Sequence, residues 1–321
     1  MNKIQSDEQL AVILQKLRNK FEADGQDLNS YLEGMTHNQY LNYWDYIQLD
    51  TLLSLQKPKT NFPDEFIFVV YHQIAELYFK LILFDINQVI TEKNISSSFV
   101  LEKMIRINHY FNQLLISFEH IIGSISKSQF GQFRTSLMPA SGFQSCQFRE
   151  IELNATPIIH LVDKEYRNAD VGVDIQDLYP HLYWKKGSID SKTGKKTLTL
   201  VQFEEKYDTY LLSEATKFQT LNLWTIFEQL QQKEPLSEAL KEAYKAFDLN
   251  MNVHWALIHF KAAAKHLSKK PVDMTSTGGT NWQQYLPPRF QKIVFFPELW
   301  SKEEIDNWGK AYIESALAPQ A

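Results

Sequence analysis

A histidine beside small residues near the C-terminal end of the chain is the first candidate for chemistry. Ala262 and Ala263 follow His259 at three and four positions, so the three residues share one face of a helix. A porphyrin requires one projecting imidazole for its iron and room beside it. His259 is therefore a candidate haem ligand, although a half-buried core histidine at an alanine-rich helix contact would show the same pattern. His254 competes for this role, but it lies about 140° around the same helix and lacks the alanines.

A second histidine lies among aromatic residues. His72 follows Phe68 by one helical turn, and Glu76 and Phe79 continue the same face. This spacing indicates an aromatic pocket with one polar group, which could hydrogen-bond an indole or phenol substrate beside bound oxygen. A buried histidine whose hydrogen bonds are made by a neighbouring helix is the alternative.

Two polar segments could bind the ends of an amino acid. Arg134 follows Phe130 by one turn and precedes a Ser- and Gly-containing break at residues 139–145; its planar guanidinium matches a carboxylate, while Phe130 could pack on the side chain. Residues 275–280 offer hydroxyls and flexible backbone that could close over a ligand's ammonium group. A surface ion pair and an ordinary loop are the respective alternatives.

Composition excludes several other classes. The net charge is −5, which argues against a nucleic-acid binder, and the glycine-rich, HExxH and paired CxxC signatures of nucleotide and metal sites are absent. The single cysteine, Cys146, allows neither an intramolecular disulfide nor CxxCH haem attachment. Charged residues interrupt the most apolar stretch, residues 66–90, and the N-terminus resembles no signal peptide. We therefore expect a cytoplasmic protein with no membrane and no nucleic-acid partner.

Apolar spacing of three and four residues predicts an all-α fold in a single domain, residues 1–321. Low glycine and proline content, 11 of each, also favours long helices. Residues 183–203 form the one exception, since they predict a small exposed hairpin or loop, with the hairpin near 185–203. The predicted helices cover residues 7–23, 43–55, 63–90, 99–124, 214–232 and 238–267, with shorter helical pieces over 127–168 and a last short helix after Trp300.

These segments, taken together and in order, resemble the tryptophan 2,3-dioxygenase family of haem enzymes. The resemblance covers roughly residues 43–152 and 255–280. Its motifs are Tyr43-xx-Tyr46-xx-Leu49-xx-Leu52-Leu53-xx-Gln56, Asp64-Glu65-xx-Phe68-xxx-His72-Gln73-xx-Glu76-Leu77-xx-Lys80, Phe133-Arg134, and Ser141-Gly142-Phe143-Gln144-Ser145-x-Gln147-x-Arg149-x-Ile151-Glu152. The sequence departs from the family where Ser276-Thr277-Gly278-Gly279-Thr280 replaces the usual Gly-Thr-Gly-Gly-Ser, where the segment from His259 to Thr277 is longer, and in residues 281–290.

The resemblance implies a helical bundle that encloses a haem b pocket, and it assigns a role to each candidate. His259 would be the proximal iron ligand and His72 the distal histidine, while Arg134 would bind the substrate carboxylate. Phe68 and Phe130 would sandwich the indole, and Trp255 would form a wall of the pocket. Ser141 and Gly142 would border the oxygen site, and Thr277 would contact the substrate ammonium. Tyr43 and Tyr46 would close the pocket from a neighbouring subunit of a homotetramer, which the N-terminal helices, residues 1–56, would reach.

The implied activity is O₂-dependent cleavage of the indole 2,3-bond of L-tryptophan to give N-formylkynurenine, the opening step of the kynurenine pathway of tryptophan catabolism. A related oxygenase acting on a tyrosine-like or substituted-indole substrate is the alternative, since the loop at residues 276–280 is unusual. A non-enzymatic haem-binding protein is disfavoured because it would need no carboxylate clamp such as Arg134.

Overall fold

The computed structural model describes residues 3–39, 41–137, 142–167, 174–189, 193–267 and 288–310. Within these ranges the chain is helical and has no strand, so the all-α prediction is confirmed. The helices are α1 (Lys3–Ala23), α2 (Leu28–Thr36), α3 (Tyr43–Tyr46), α4 (Leu49–Leu53), α5 (Pro63–Thr91), α6 (Ser97–Ser124), α7 (Lys127–Leu137), α8 (Cys146–Ala155), α9 (Ile175–Leu178), α10 (Tyr183–Gly187), α11 (Leu198–Phe218), α12 (Leu223–Lys233), α13 (Glu238–Leu249), α14 (Trp255–Leu267), α15 (Pro288–Gln291) and α16 (Lys302–Asp306).

The chain divides into two compact units, Met1–Gln56 and Lys57–Ala321, and the single-domain assignment stays a prediction. The first unit contains α1 to α4. Helix α2, which the sequence reasoning missed, begins at the N-cap Asp27, whose carboxylate accepts hydrogen bonds from the backbone of Ser30 and Asn29. Among the described side chains of this unit Leu28 is the buried hydrophobic residue, so the unit presents most of its apolar side chains on its surface.

Helices α5 and α6 form the centre of the second unit. Pro63 occupies the first turn of α5, and Asp64 and Glu65 complement the helix dipole there. The two helices are antiparallel, because Asp85 near the end of α5 pairs with Arg106 early in α6 at 3.0 Å. The helices predicted over residues 63–90 and 99–124 are therefore present with nearly the expected bounds.

Further helices pack around this pair. Helix α13 lies on α6, and α8 lies between α5 and α11. Their shared core is built from large buried side chains, among them Ile82, Ile86, Met104, Phe111, Phe203, Leu240 and Phe247. Helix α5 is the described helix that is long and apolar enough to cross a membrane by length and composition. Its Phe79, Ile82 and Ile86 are buried in this core, as in a central helix of a globular protein.

Several predicted segments differ from the structure. The helix predicted over 43–55 is divided into α3 and α4, because Gln48 between them has a left-handed backbone with φ of 54°. The helix predicted over 214–232 is broken, because the buried side chain of Asn222 caps both neighbouring helices. Its Nδ2 donates to the Phe218 carbonyl at 2.7 Å, and its Oδ1 accepts from the Thr225 amide at 3.0 Å. Helix α11 therefore ends at Phe218 and α12 starts at Leu223.

The predicted exposed hairpin or loop near 185–203 is wrong at both of its ends, which are helical. Residues at its start belong to α10, those from Leu198 belong to α11, and one antiparallel bridge, Ile189 with Lys196, joins the described residues between them. The alternating Thr and Leu residues misled the analysis, because Thr197 is the N-cap of α11 and accepts from the Leu200 amide. The segment is also not fully exposed, since Lys185 is buried between Glu204 and Asp208.

Candidate active site

His259 has one ring nitrogen fixed by its own helix. Its Nδ1 lies 2.8 Å from the carbonyl oxygen of Trp255, one turn earlier in α14. A carbonyl oxygen only accepts, so Nδ1 carries the proton and the neutral ring presents its lone pair at Nε2. No described residue forms a hydrogen bond with Nε2. This is the tautomer that a histidine needs when it binds iron through Nε2.

The ring of His259 is also fixed by aromatic neighbours. Phe118 of α6 stacks on it with centroids 4.5 Å apart and an interplanar angle of 24°. Trp255 contacts it at 4.3 Å with its ring tilted by 64°, and Phe79 and Phe148 pack against Trp255 in turn. Trp255 thus lies directly beside the imidazole.

Burial keeps both candidate histidines neutral. Burial, together with the nearby His72, lowers the pKa of His259 to about 4. Burial also lowers the pKa of His72 below its ordinary value. Both rings are therefore in the form that can accept a hydrogen bond or bind a metal.

His72 has the same internal arrangement as His259. Its Nδ1 lies 2.7 Å from the Phe68 carbonyl oxygen, which fixes the proton on Nδ1. The Phe68 ring lies 4.0 Å from the imidazole. Because no described residue forms a hydrogen bond with Nε2 of His72, this atom is available to accept one from a substrate.

Three phenylalanines form a cluster beside His72. Phe68 of α5 lies 6.4 Å from Phe130 and 5.8 Å from Phe133, both of α7. Arg134 lies one turn after Phe130 in the last turn of α7 and is partly buried. Burial lowers the pKa of its guanidinium, which remains cationic at neutral pH. Aromatic rings, a cation and a hydrogen-bond acceptor thus come from α5 and α7.

The remaining predicted site residues are Ser141, Gly142, Thr277, Tyr43 and Tyr46. Ser141 and Thr277 lie outside the described residues. Gly142 begins a short 3₁₀ helix, Gly142–Gln144, immediately before α8. Tyr43 and Tyr46 belong to α3 of the first unit and are 69% and 76% exposed, so their predicted contribution to the pocket stays a prediction.

The sequence reasoning missed Phe118 and Phe133 as residues of the site. Phe118 had been assigned to the apolar face of α6, and nothing in its spacing indicates that it meets a histidine far along the chain. Phe133 stands beside Arg134 in the quoted motif, but no role was given to it. Its ring is fully buried and packs edge-on against Phe130 at 5.5 Å.

The donor set of this site fits a haem better than a bare metal ion. The described residues contain no group of three or more His, Cys, Asp or Glu side chains that could hold a metal ion. A haem iron brings four nitrogen ligands of its own and requires one protein ligand. His259 supplies a neutral nitrogen donor for that position, and the small side chains of Ala262 and Ala263 follow it on the helix.

Comparisons with known proteins agree with these features. The sequence model of the tryptophan 2,3-dioxygenase family matches residues 26–168, a range that includes α5, α6 and α7. Tryptophan 2,3-dioxygenase of a Polaromonas species is 27% identical over 270 residues, which cover 81% of this chain and 86% of that protein.

Other relatives match over similar lengths. The tryptophan 2,3-dioxygenase of Herpetosiphon aurantiacus is 27% identical over 82% of this chain and 98% of its own length. That of Bacillus thuringiensis subsp. konkukian is 27% identical over 81% of this chain and 91% of its own. The resemblance inferred from the motifs is thus confirmed: residues 26–168 match the model of the tryptophan 2,3-dioxygenase family, and most of the chain is similar to enzymes of that name.

Proposed function

We propose that this protein is a haem-dependent dioxygenase that cleaves the indole 2,3-bond of L-tryptophan with O₂ to give N-formylkynurenine. The observation that carries the proposal is a pair of neutral imidazoles, His72 and His259, each with its Nδ1 proton held by a helix carbonyl. Beside them lie the phenylalanine cluster and Arg134. The names of the relatives support tryptophan as the substrate.

His259 holds the haem through Nε2, and Trp255 and Phe118 fix the plane of its ring. Trp255 and Gly142, together with Ser141, border the haem and oxygen side of the pocket. When bound, the haem b supplies the iron that activates O₂. A protonated imidazole has no lone pair for the metal, so the low pKa of His259 keeps the ligand competent across the physiological range.

The protein's own residues orient the substrate. Arg134 binds the carboxylate by two parallel hydrogen bonds, and Phe68 and Phe130 contact the indole. Because Nδ1 of His72 is already protonated, its Nε2 accepts the indole N–H and holds the ring in place without removing the proton. Both atoms of O₂ enter the product, one on each of the two carbons whose bond is cleaved. This makes the reaction an entry step of tryptophan catabolism.

Three further residues complete the proposed pocket. Thr277 meets the substrate ammonium group, while Tyr43 and Tyr46 close the pocket from a neighbouring subunit of a homotetramer. Apolar side chains on the surface of the first unit support such a contact. We place the enzyme in the cytoplasm, with L-tryptophan and O₂ as its partners and with no membrane or nucleic acid.

Product analysis tests this function. The haem-loaded, reduced protein is mixed with L-tryptophan and ¹⁸O₂, and the product is identified by mass spectrometry. N-formylkynurenine with two labelled oxygen atoms is expected, and His259→Ala should abolish its formation, whereas His109→Ala, a change of an exposed histidine on α6, should not. Incorporation of one oxygen atom into a phenol, with tryptophan left intact, would instead identify the tyrosine-like alternative.

A further inference from the structure

A single π-helical turn, Asn250–His254, connects α13 to α14. In it the amide of Trp255 donates to the carbonyl of Asn250, five residues earlier. A π turn contains one residue more than an α turn, and each residue of an α-helix turns by about 100°. Because of this extra residue, the side chain of His259 points where the side chain of the residue before it would point in an unbroken α-helix. Loss of the π turn would therefore rotate His259 by about 100° away from Phe118.

Buried amides bind this turn to α6. Asn108 of α6 donates from Nδ2 to the Ala243 carbonyl of α13 at 2.8 Å. Asn250 donates from Nδ2 to Oδ1 of Asn108 at 3.1 Å, and its own Oδ1 lies 3.0 Å from Nδ1 of His254. Asn108 and Asn250 are 8% and 4% exposed. Since water reaches neither amide freely, each depends on the other for its hydrogen bonds.

The same helix contacts the imidazole directly. Phe118 lies ten residues after Asn108, about 15 Å further along α6, and stacks on His259. Phe118 is itself held by the Tyr71 ring at 5.2 Å. Helix α6 thus makes two contacts with this region, one at the π turn that precedes α14 and one at the ring of His259. Both contacts can form at the same time only when the π turn is present.

We propose that Asn108 and Asn250 are positioning residues for the proximal imidazole. Their mutual hydrogen bond stabilises the π turn over a regular helical turn and so sets the rotation of α14 that brings His259 onto Phe118. The inference rests on the proposed haem site. Neither residue touches the haem or the substrate, so their effect is transmitted through the helix alone.

Haem titration of the purified apoprotein, followed by the Soret band, tests this role. Asn108→Ala and Asn250→Ala should each weaken haem binding by about tenfold or more, as for other partners behind a metal ligand. The loss of haem affinity in the double variant should be smaller than the two single losses combined, because both single variants remove the bond between Asn108 and Asn250. Asn112→Ala, a change of an exposed asparagine on the same helix, is the matched control and should bind like the wild type.

Hydrogen exchange of the apoprotein separates positioning from general stability. Amides of residues 250–259 should exchange faster in both variants, while those of α5 remain protected. The variant Asn108→Leu/Asn250→Leu replaces both members of the buried amide pair by apolar side chains, so it should retain a cooperative thermal transition while binding haem as weakly as the alanine variants.

The outcomes separate the inference from the proposed function. The inference would be overturned if Asn108→Ala and Asn250→Ala bind haem within twofold of the wild-type affinity, per folded molecule, while His259→Ala abolishes binding. An unchanged haem spectrum and affinity in His259→Ala would overturn the haem site and the inference together.

Discussion

The depressed pKa of His259 predicts how the stability of the apoprotein depends on pH. The folded pKa is about 4, whereas the unfolded chain has the ordinary value of about 6.5. As the pH falls below 6.5 the unfolded state binds a proton at this residue and the folded state does not, so the contribution of His259 is fully present above pH 6.5 and is lost down to pH 4. Between pH 7.5 and 5.0 this loss amounts to about 2 kcal/mol, at 1.36 kcal/mol per pKa unit.

The assay compares urea denaturation of wild-type apoprotein and His259→Gln at pH 7.5 and pH 5.0. Glutamine does not titrate, so the free energy of unfolding of the wild type should fall by about 2 kcal/mol more than that of the variant. The comparison cancels the effects of other groups, such as Asp248, whose pKa burial raises to about 6. His109→Gln, a change of an exposed histidine, should follow the wild type. Parallel wild-type and His259→Gln stabilities at both pH values would refute the reasoning.

Three further changes test other parts of the structure. Arg134→Lys should raise KM for L-tryptophan by about tenfold, because one ammonium cannot replace the bidentate guanidinium contact. Turnover of tryptamine, which has no carboxylate, should be equal in both enzymes. An unchanged KM for tryptophan would show that Arg134 does not bind the carboxylate. Phe118→Ala should lower the free energy of unfolding by about 3 kcal/mol or more in urea denaturation. The control Phe84→Ala, which changes a ring that is 59% exposed, should lower it by less than about 1 kcal/mol. Equal losses would contradict the packing described. Asn222→Ala should cost about 2 kcal/mol by the same measurement, since it removes a cap and leaves the Phe218 carbonyl without that donor; a loss below about 0.5 kcal/mol would show that the cap contributes little.

Local patterns were sufficient for the long helices because their causes are local. Pro63 and the acidic residues after it start α5, and apolar side chains repeat along one face of both α5 and α6. The prediction was less accurate where a side chain competes with the backbone. Asn222 ends one helix and starts the next, and Thr197 caps α11 where the alternation of Thr and Leu had indicated a strand.

The candidate site divides in the same way. The relation of His72 to Phe68, and that of Arg134 to Phe130, follow from spacing on one helix, so residue type and number predict them. The tautomer of each histidine required the structure, because it depends on the carbonyl that the ring reaches. The resemblance to the family followed from the ordered motifs, and the comparisons support it independently of the geometry.

The helical class, the resemblance to the family and the individual side chains that could bind haem and an aromatic amino acid follow from the sequence, because they depend on periodicity and on the order of motifs along the chain. Only the tertiary structure decided that Phe118 stacks on His259 and that Asn108 bonds to Asn250 across 142 residues. Contacts between distant segments depend on the rotation and packing of whole helices. One extra residue in the π turn changes the rotation of α14 by about 100°. The spacing of the apolar residues changes too little for the sequence to show this extra residue.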